Sequence, residues 1–497
     1  MAETRAKTLT TKYALYYALG IFGVQLFIGY MNTFQTEFYN KMYSAYDSNI
    51  FYASAIIIFV AKIISCIFDP LIGSMIDNSK PKKGGKIRPW ILRSAFPIAL
   101  LTLIIFIYIP FDNIEGAWGK VLLYGYITLT TVLWNVAMSF ADIPSQGMLA
   151  LLSPSAEERN VAAGFSNLGK SIGLQAPGII VTIVMLVLDL IKGSGNYTDA
   201  TYYAATAIVI LIIGTLLYLL IYFKNTEAVP AAQAGKSQAS VSFGDMFKEM
   251  KNNKMILIVF LIYILGFART MTTIVTVQAS GALVGVVSFF GYSLDTTSDA
   301  TWLTGILGAI SGIIGISIIP IINKKLGEKK TYLMFSISAF VVAMICCIFY
   351  WSLPEGSSLR YGNNALYMIM IMQFVTSFLY SAYTYIPLVM TADIVDYEYW
   401  RTGERKEGVN FAILSMAIKL SNALCVMVGL LMIAVSGYTQ VMYETGYIPV
   451  ATQNIIMFAF LGFSGVSGLL SAIPMLFYKI DAKTKAQMRA ETTEEIA

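Results

Sequence analysis

The 497-residue sequence contains no histidine, only four cysteines, and few charged residues, which make up 13% of the chain. Without histidine, any proton chemistry or metal site must be built from carboxylates, amines and hydroxyls. The cysteines lie inside apolar runs without the spacing of a metal site, and we interpret them as packing residues (Cys66, Cys346, Cys347 and Cys425). We therefore expect no metal site and no bound cofactor.

What the sequence has in abundance is apolar residues. Residues of hydrophobic type make up 57% of the chain, and the mean hydropathy is +0.67. A soluble domain could not present such a composition to water without aggregating, so an integral membrane protein is predicted. The net charge of +5 could indicate nucleic-acid binding. The basic residues, however, are scattered in short loops between apolar segments, so the lipid bilayer explains them and no nucleic-acid partner is expected.

Twelve apolar segments are long enough to cross about 30 Å of hydrocarbon, which predicts an all-α integral membrane protein with 12 transmembrane helices. Their predicted bounds are 13–32, 50–76, 89–110, 119–151, 160–190, 201–223, 255–286, 300–322, 331–352, 363–391, 408–436 and 453–478.

The basic residues give an independent prediction of orientation. Lysine and arginine are concentrated in alternate loops and in both terminal segments, the pattern that marks the cytoplasmic side. The first apolar segment lacks a convincing cleavage site and is too long for the apolar region of a signal peptide, so we interpret it as an uncleaved span. We therefore expect a multi-pass plasma-membrane protein with both termini in the cytoplasm.

The chain also shows signs of an internal duplication. Ala141-Asp142-Ile143, Glu158-Arg159 and Lys170 are echoed in the same order by Ala392-Asp393-Ile394, Glu404-Arg405 and Lys419. The longest basic interior loop lies near the midpoint, as a linker between two halves would. This predicts a major-facilitator-type bundle of two pseudo-symmetric six-helix halves, divided into 1–223, a cytoplasmic linker 224–253, 254–480 and a cytoplasmic tail 481–497.

Six ionisable residues lie well inside the predicted spans: Lys62, Asp69, Asp142, Lys170, Arg269 and Lys419. Each costs about 2.5–3.5 kcal/mol at a helix centre on insertion scales, so we expect them to face a polar cavity and to pair with one another. Lys62 and Asp69 are two turns apart on one helix face, too far for a direct pair. Asp69 therefore needs a partner on another helix, and Lys419 is our candidate. The alternative is static interhelical salt bridges, or cations that extend to the interface.

Several motifs, taken together, resemble the glycoside-pentoside-hexuronide cation symporter family, the group that contains the melibiose carrier. The resemblance spans both halves at the spacing expected for the family. It is carried by Asp69-Pro70-Leu71-Ile72-Gly73 with Gly85-Lys86-Ile87-Arg88-Pro89-Trp90, by Ala141-Asp142-Ile143-Pro144, and by Ala392-Asp393-Ile394-Val395-Asp396-Tyr397 with Thr402-Gly403-Glu404-Arg405, Glu407-Gly408 and Lys419.

The resemblance implies roles for matching positions. The family's second helix-two carboxylate, which binds the coupling cation, matches Asp69; the first falls on Ser65, and a helix-four hydroxyl near the cation matches Ser139. The resemblance also implies a set of substrate-binding positions, among which the family's helix-one acid, helix-four tryptophan and helix-five arginine are replaced here by glutamine, glutamine and asparagine. With a threonine of the tenth span added, the set comprises Gln25, Asp142, Gln146, Asn167, Lys170, Thr384 and Lys419.

These departures leave the coupling cation and the sugar open. Losing one carboxylate weakens a sodium site, although Ser65 and Ser139 could still supply neutral oxygens, so proton coupling through Asp69 is an equal alternative. The six intramembrane residues carry a net positive charge, and a positive cavity favours an anionic solute. We therefore prefer a uronic-acid glycoside as the predicted cargo. If some of the cations pair with loop carboxylates instead, the cargo would be a neutral pentoside or oligosaccharide.

The mechanism expected from this pattern is alternating access, with sodium or a proton as the coupling cation. Charged residues at the cytoplasmic ends of the spans could latch the outward-facing state, with loop solubility as the simpler explanation (Asp77, Arg88, Asp393, Asp396 and Arg405). We expect a monomer in the bilayer with a small sugar as its partner. Two alternative functions are a lysophospholipid-type carrier of the same fold and an integral-membrane transferase. For the transferase, the acidic cluster 393–398 is the one candidate site.

Overall fold

The computed structural model describes the following residues: 11–77, 79, 85–114, 116–153, 156–192, 197–227, 243–289, 292–294, 297–402, 407–439, 442, 445–480, 484–485 and 487. The chain forms two compact units, Met1–Ser240 and Val241–Ala497. We refer to them as the first and the second unit.

The first unit consists of long apolar helices, the form in which a single segment satisfies all its own backbone hydrogen bonds inside a bilayer. A proline at the start of α3 fits there because the first N–H groups of a helix have no partner within the helix. The helices are α1 (Thr11–Tyr43), α2 (Ile50–Asp77), α3 (Arg88–Ile105), α4 (Ala117–Leu151), α5 (Ala156–Lys192) and α6 (Asp199–Lys224).

Helix α1 continues to Tyr43, well beyond its predicted end at residue 32. Its C-terminal part is polar, but Gln35 and Glu37 are each only 3% exposed. Gln35 Nε2 donates to Thr131 Oγ1 of α4 at 2.9 Å and to Tyr39 OH at 3.1 Å. Because these side chains face the protein interior rather than lipid, hydropathy alone placed the end of the helix too early.

Glycines allow α1 and α5 to approach closely. A Cβ atom on Gly29 of α1 would lie 2.5 Å from the Leu174 carbonyl oxygen, and one on Gly169 of α5 would lie 2.5 Å from the Ala18 carbonyl oxygen. Any larger residue would push the two backbones apart. This contact fixes the position of α5 against α1 at Gly169, the residue before Lys170.

The second unit begins with a short amphipathic helix and contains spans that are less regular. Asn253 caps its second helix by accepting from the backbone N–H groups of Met255 and Ile256 at 3.0 and 3.4 Å. The helices are α7 (Phe243–Asn252), α8 (Lys254–Leu265), α9 (Met271–Ile274), α10 (Thr276–Ala279), α11 (Thr297–Leu326), α12 (Glu328–Ser352), α13 (Asn363–Tyr380), α14 (Ala382–Thr402), α15 (Glu407–Val435), α16 (Val450–Met457) and α17 (Phe463–Met475).

The predicted span 255–286 is broken. After α8 the chain bends by 51° and passes through a 3-10 turn, α9, α10 and a π-helical segment, Ser280–Val284. Serines of α17 satisfy the backbone groups that the break releases. Ser467 Oγ donates to the Leu265 carbonyl oxygen at 2.7 Å and accepts from the Ala268 N–H at 3.1 Å, and Ser464 Oγ donates to the Ala268 carbonyl oxygen at 2.8 Å. Irregular backbone inside a membrane needs such partners.

The all-helical prediction is confirmed, apart from a small antiparallel hairpin that pairs β1 (Val287–Phe289) with β2 (Tyr292–Leu294). Among the described residues, ten helices are long and apolar enough to span a membrane, and the bent pair formed by α8 and its continuation makes an eleventh. Helix α11 covers the predicted span 300–322. The count of twelve stays a prediction.

The tenth predicted span ends later than expected. It is interrupted near Ser381, and α14 then continues to Thr402, past the predicted end at residue 391. Asp393 and Asp396 therefore lie on a helix, whereas the sequence pattern placed them in an interior loop. Acidic side chains lower hydropathy without ending a helix.

Candidate substrate and cation site

Two serines predicted to bind the cation meet between α2 and α4. Ser65 Oγ and Ser139 Oγ are 3.0 Å apart, and each is 3.3 Å from the carbonyl oxygen of Asn135. Both serines are buried. The result is a compact group of three neutral oxygens, which we call the serine cluster. Oxygen atoms of this kind are the ligands that hard cations prefer.

A carboxylate lies close to the serine cluster on each of the two helices. Asp69 follows Ser65 by four residues on α2, and Asp142 follows Ser139 by three on α4, so each shares a helix face with its serine. Because α3 returns the chain between them, α2 and α4 run in the same direction, and both carboxylates lie on the same side of the cluster. Asp142 Oδ2 accepts from Gln146 Nε2 at 2.7 Å, which joins two predicted substrate-binding residues.

Lys62 lies on the other side of the serine cluster, three residues before Ser65. Its Nζ donates to Asn32 Oδ1 of α1 at 3.4 Å. Asp69 and this amine therefore occupy opposite ends of the face that α2 presents around Ser65. Such an arrangement separates the charges along the helix by about two turns.

The remaining predicted residues of the first unit lie on α1 and α5. Gln25 is buried, 8% exposed, where Gly173 lets α5 pass close to its Cβ. Asn167 is exposed and Lys170 is half-buried one turn further along α5. Lys170 makes no hydrogen bond or ion pair with the part of the chain that the structure describes.

In the second unit, Arg269 occupies the break of the seventh span. Its Nη1 donates to Ser421 Oγ at 2.6 Å and its Nη2 donates to Asn422 Oδ1 at 3.2 Å, both on α15. The guanidinium also lies over the Tyr263 ring, 4.5 Å from the ring centre. Lys419, half-buried, precedes Ser421 by two residues, while Thr384 is exposed on the first turn of α14.

Two of the predicted latch residues, Arg88 and Asp393, have partners within their own units. Arg88 Nε donates to the Tyr222 carbonyl oxygen at 3.0 Å, and its guanidinium lies 5.2 Å from the centre of the Tyr222 ring. Asp393 accepts from Lys485 Nζ at 2.6 Å. Asp396 is exposed. Arg405 and the side chain of Asp77 lie outside the described residues, and the latch stays a prediction.

Sequence reasoning missed two residues that contact these predicted latch positions. The Glu227 carboxylate accepts from the backbone N–H groups of Lys86, Ile87 and Arg88 at 2.9, 2.7 and 3.1 Å, and so caps the start of α3. Lys485 bridges Asp393 and Glu328, the latter at 2.7 Å. Both contacts join residues far apart in the chain, so no local pattern could have indicated them.

One groove of about 370 Å³ lies between α5 and α6. Its lining is entirely aliphatic and offers no side-chain donor or acceptor, so it does not resemble a sugar site (Ile180, Ile183, Val184, Val187, Leu188, Ala205, Val209 and Ile213).

Comparison with known sequences gives a match over nearly the whole chain. Residues 16–482 match the family model described as MFS/sugar transport protein. The isoprimeverose transporter of Lactiplantibacillus pentosus is 26% identical over 97% of this chain and 91% of its own length. The glucuronide carrier protein homolog of Escherichia coli (strain K12) is 22% identical over 87% of this chain and 85% of its own length.

Solved structures of low sequence identity share the fold. A D-xylose-proton symporter superimposes with a TM-score of 0.58 at 15% identity, covering 94% of this chain and 98% of that one. The nucleoside transporter NupG superimposes with a TM-score of 0.59 at 14% identity, covering 95% of this chain and 100% of that one. At these identities the likeness shows the fold alone, which is that of a major facilitator transporter.

Proposed function

The chain belongs to the MFS/sugar transport protein family, and we propose that it is a secondary active transporter that carries a sugar derivative together with a monovalent cation. The named relatives include carriers of isoprimeverose, lactose and raffinose and a homologue of a glucuronide carrier. The cargo we propose is a glycoside, pentoside or hexuronide. The protein lies in the plasma membrane, with both termini in the cytoplasm.

The cation binds at the serine cluster and Asp69. The three oxygens of the cluster supply neutral ligands and Asp69 supplies the negative charge that attracts a cation. Such a donor set fits either sodium or a proton carried by Asp69 itself. For the sugar, the candidates of the first unit are Asp142, whose hydrogen bond to Gln146 orients the carboxylate, Gln25 and Asn167. The candidates of the second unit are Thr384 and Lys419.

The observation that carries the choice of cargo is a pair of intramembrane cations without acidic partners. Neither Lys170 nor Arg269 forms an ion pair with any residue that the structure describes. A charge inside a membrane protein is costly unless an opposite charge or polar cavity compensates for it. An anionic substrate would supply that charge, so we propose a hexuronide or uronic-acid glycoside as the preferred cargo.

Coupling follows if binding of either ligand lowers the free energy needed to order the site of the other. The linkage is reciprocal, so the cation must raise the affinity for the sugar by the same factor as the sugar raises the affinity for the cation. The loaded protein then passes between outward-facing and inward-facing states.

A thermal-stability panel on the purified protein tests this function. A hexuronide, the matched neutral glycoside and a lysophospholipid would each be added with and without sodium at two pH values. A ligand that binds the folded state raises the melting temperature in a concentration-dependent way. We expect the hexuronide to give the largest rise, enhanced either by sodium or by acid. Stabilisation by the lysophospholipid alone, with no response to any sugar, would contradict the proposal.

A further inference from the structure

The break in the seventh span places Arg269 inside the second unit rather than at a membrane surface. The break follows Leu265, near the middle of the segment 254–284. Ser464 and Ser467 satisfy the backbone groups released there, so the guanidinium is not needed to repair the backbone. Irregular backbone at membrane depth occurs where it is buried in protein or lines a water-filled cavity. Discontinuous spans of this kind form the substrate sites of many transporters.

Arg269 retains unused hydrogen-bonding capacity. A guanidinium has five N–H donors. Two of them are used, one by Ser421 and one by Asn422. Among the residues that the structure describes, the other three have no acceptor, and no carboxylate pairs with the charge. The guanidinium carbon lies 4.5 Å from the centre of the Tyr263 ring, a cation–π contact that uses no oxygen acceptor.

A second arginine in the same unit, Arg360, provides a comparison because all its guanidinium donors have acceptors within the protein. Arg360 is 3% exposed and also stacks on a tyrosine ring, at 4.9 Å. Its Nε and Nη2 donate to the Leu353 carbonyl oxygen at 3.0 and 2.7 Å. The remaining donors reach oxygens of Trp351, Gln453 and Asn454. All five donors are therefore used, two of them by one backbone carbonyl that cannot rotate away.

The partners of Arg269 are of a different kind. Ser421 Oγ and Asn422 Oδ1 are side-chain acceptors, which can rotate to admit a ligand. A carboxylate matches the planar fork of a guanidinium and accepts two parallel hydrogen bonds from it. We propose that Arg269, held by Ser421, Asn422 and Tyr263, binds the carboxylate of an acidic sugar and so sets the preference for uronides. This inference rests on the proposed transport function.

The test compares the affinities of two ligands for purified protein, a hexuronide and the matched neutral glycoside. Removing one partner of a buried charge pair costs about 2–5 kcal/mol in a complex, so Arg269→Gln should weaken hexuronide binding by at least about 30-fold. Binding of the neutral glycoside should change by less than about threefold. Arg269→Lys keeps the charge but loses the fork, and should fall between wild type and Arg269→Gln.

The matched control is Arg360→Gln. It removes an arginine of the same unit and equal charge that also stacks on a tyrosine ring, so it should lower the melting temperature while leaving the ratio of the two affinities unchanged. An equal loss of affinity for the hexuronide and for the neutral glycoside in the Arg269 variants would overturn the inference, because a structural role predicts that result. If Arg269→Gln does not fold, the test uses the ratio of hexuronide to neutral-glycoside affinity in Arg269→Lys. A ratio equal to that of wild type would overturn the inference. Wild-type protein that binds only neutral glycosides would overturn the inference but not the transport function, whereas binding of no sugar would overturn both.

Discussion

Two pairs of serines, one in each unit, differ in whether their hydroxyls meet each other. In the first unit, Ser65 and Ser139 lie on continuous helices, and their hydroxyls meet each other between α2 and α4. In the second unit, Ser464 and Ser467 are bound to backbone groups of a broken span. A continuous helix satisfies its own backbone and leaves side chains available for a ligand, whereas a broken one engages them in repair. The same residue type thus serves a candidate cation site in one unit and a structural joint in the other.

The charged residues nearest these two serine pairs also differ. Around the serine cluster the nearby carboxylates are Asp69 and Asp142, whereas the break in the second unit holds the cation Arg269. We therefore assign the coupling cation to the first unit and the negative group of the sugar to the second. The following predictions test that assignment.

The largest effect is expected at Asp69. Asp69→Asn removes the negative charge beside the serine cluster, so uphill accumulation in proteoliposomes should be abolished while exchange of substrate across the membrane remains measurable. The control is Asp112→Asn, which changes an exposed carboxylate outside the spans and should leave accumulation unchanged. Uphill accumulation by Asp69→Asn at the wild-type level would refute the coupling role.

The structural role of the α17 serines comes next. Ser464→Ala combined with Ser467→Ala removes the serine partners of three backbone groups at the break. The Ala268 carbonyl keeps the Met271 N–H as a partner, whereas the Leu265 carbonyl and the Ala268 N–H lose bonds worth about 1–3 kcal/mol each when buried. The melting temperature in detergent should fall clearly. Ser317→Ala is the control, because that exposed serine bonds the Ile313 carbonyl of its own helix and no other residue that the structure describes. If the double variant is as stable as the control, the backbone at the break does not depend on these serines.

A smaller effect is expected within the serine cluster. Ser65→Ala or Ser139→Ala should weaken the apparent cation affinity by about 2- to 10-fold, the scale of one hydrogen-bonding group. The double variant should lose less than the sum, because the two hydroxyls contact each other. Ser171→Ala is the control, because this half-buried serine bonds the Asn167 carbonyl of its own helix. A strictly additive double variant would show that the serines do not act as one site.

The smallest effect concerns Asp47, a buried carboxylate of the first unit that lies outside the spans. The backbone N–H of Asn49, with Lys120 at 3.0 Å and Tyr124 OH, lowers the pKa of Asp47 below its usual value. Since the folded-state pKa is the lower one, this stabilisation is present above the unfolded pKa of about 3.9 and is lost as the pH falls through the folded value. Melting temperatures recorded against pH should fall in acid more steeply for wild type than for Asp47→Asn. Parallel curves would contradict this.

The sequence predicted the regular parts of the structure because lipid imposes a simple rule on them. The bounds of α2 and α4 lie within about two residues of the predicted ones, since hydropathy reports lipid exposure directly. Hydropathy did not predict the C-terminal end of α1, because Gln35 and Glu37 face the protein interior there. Those polar side chains resemble a loop in any hydropathy profile.

The candidate site divides in the same way. The one-turn spacings that place Asp69 beside Ser65 and Asp142 beside Ser139 are local and could be read from the sequence. The contact between Ser65 and Ser139, the partners of Arg269 on α15 and the bridge from Lys485 to Asp393 depend on the packing of helices distant in the chain. No periodicity within one segment encodes them.

The central claim is that an imposed cation gradient drives an acidic sugar across the membrane. The most direct measurement is uptake of a labelled hexuronide into proteoliposomes containing the wild-type protein, under an inward proton gradient and, separately, an inward sodium gradient. We predict accumulation above the external concentration with one of the two gradients, and its collapse when the matching ionophore is added. Uptake that stops at equal concentrations under both gradients would contradict cation-coupled symport.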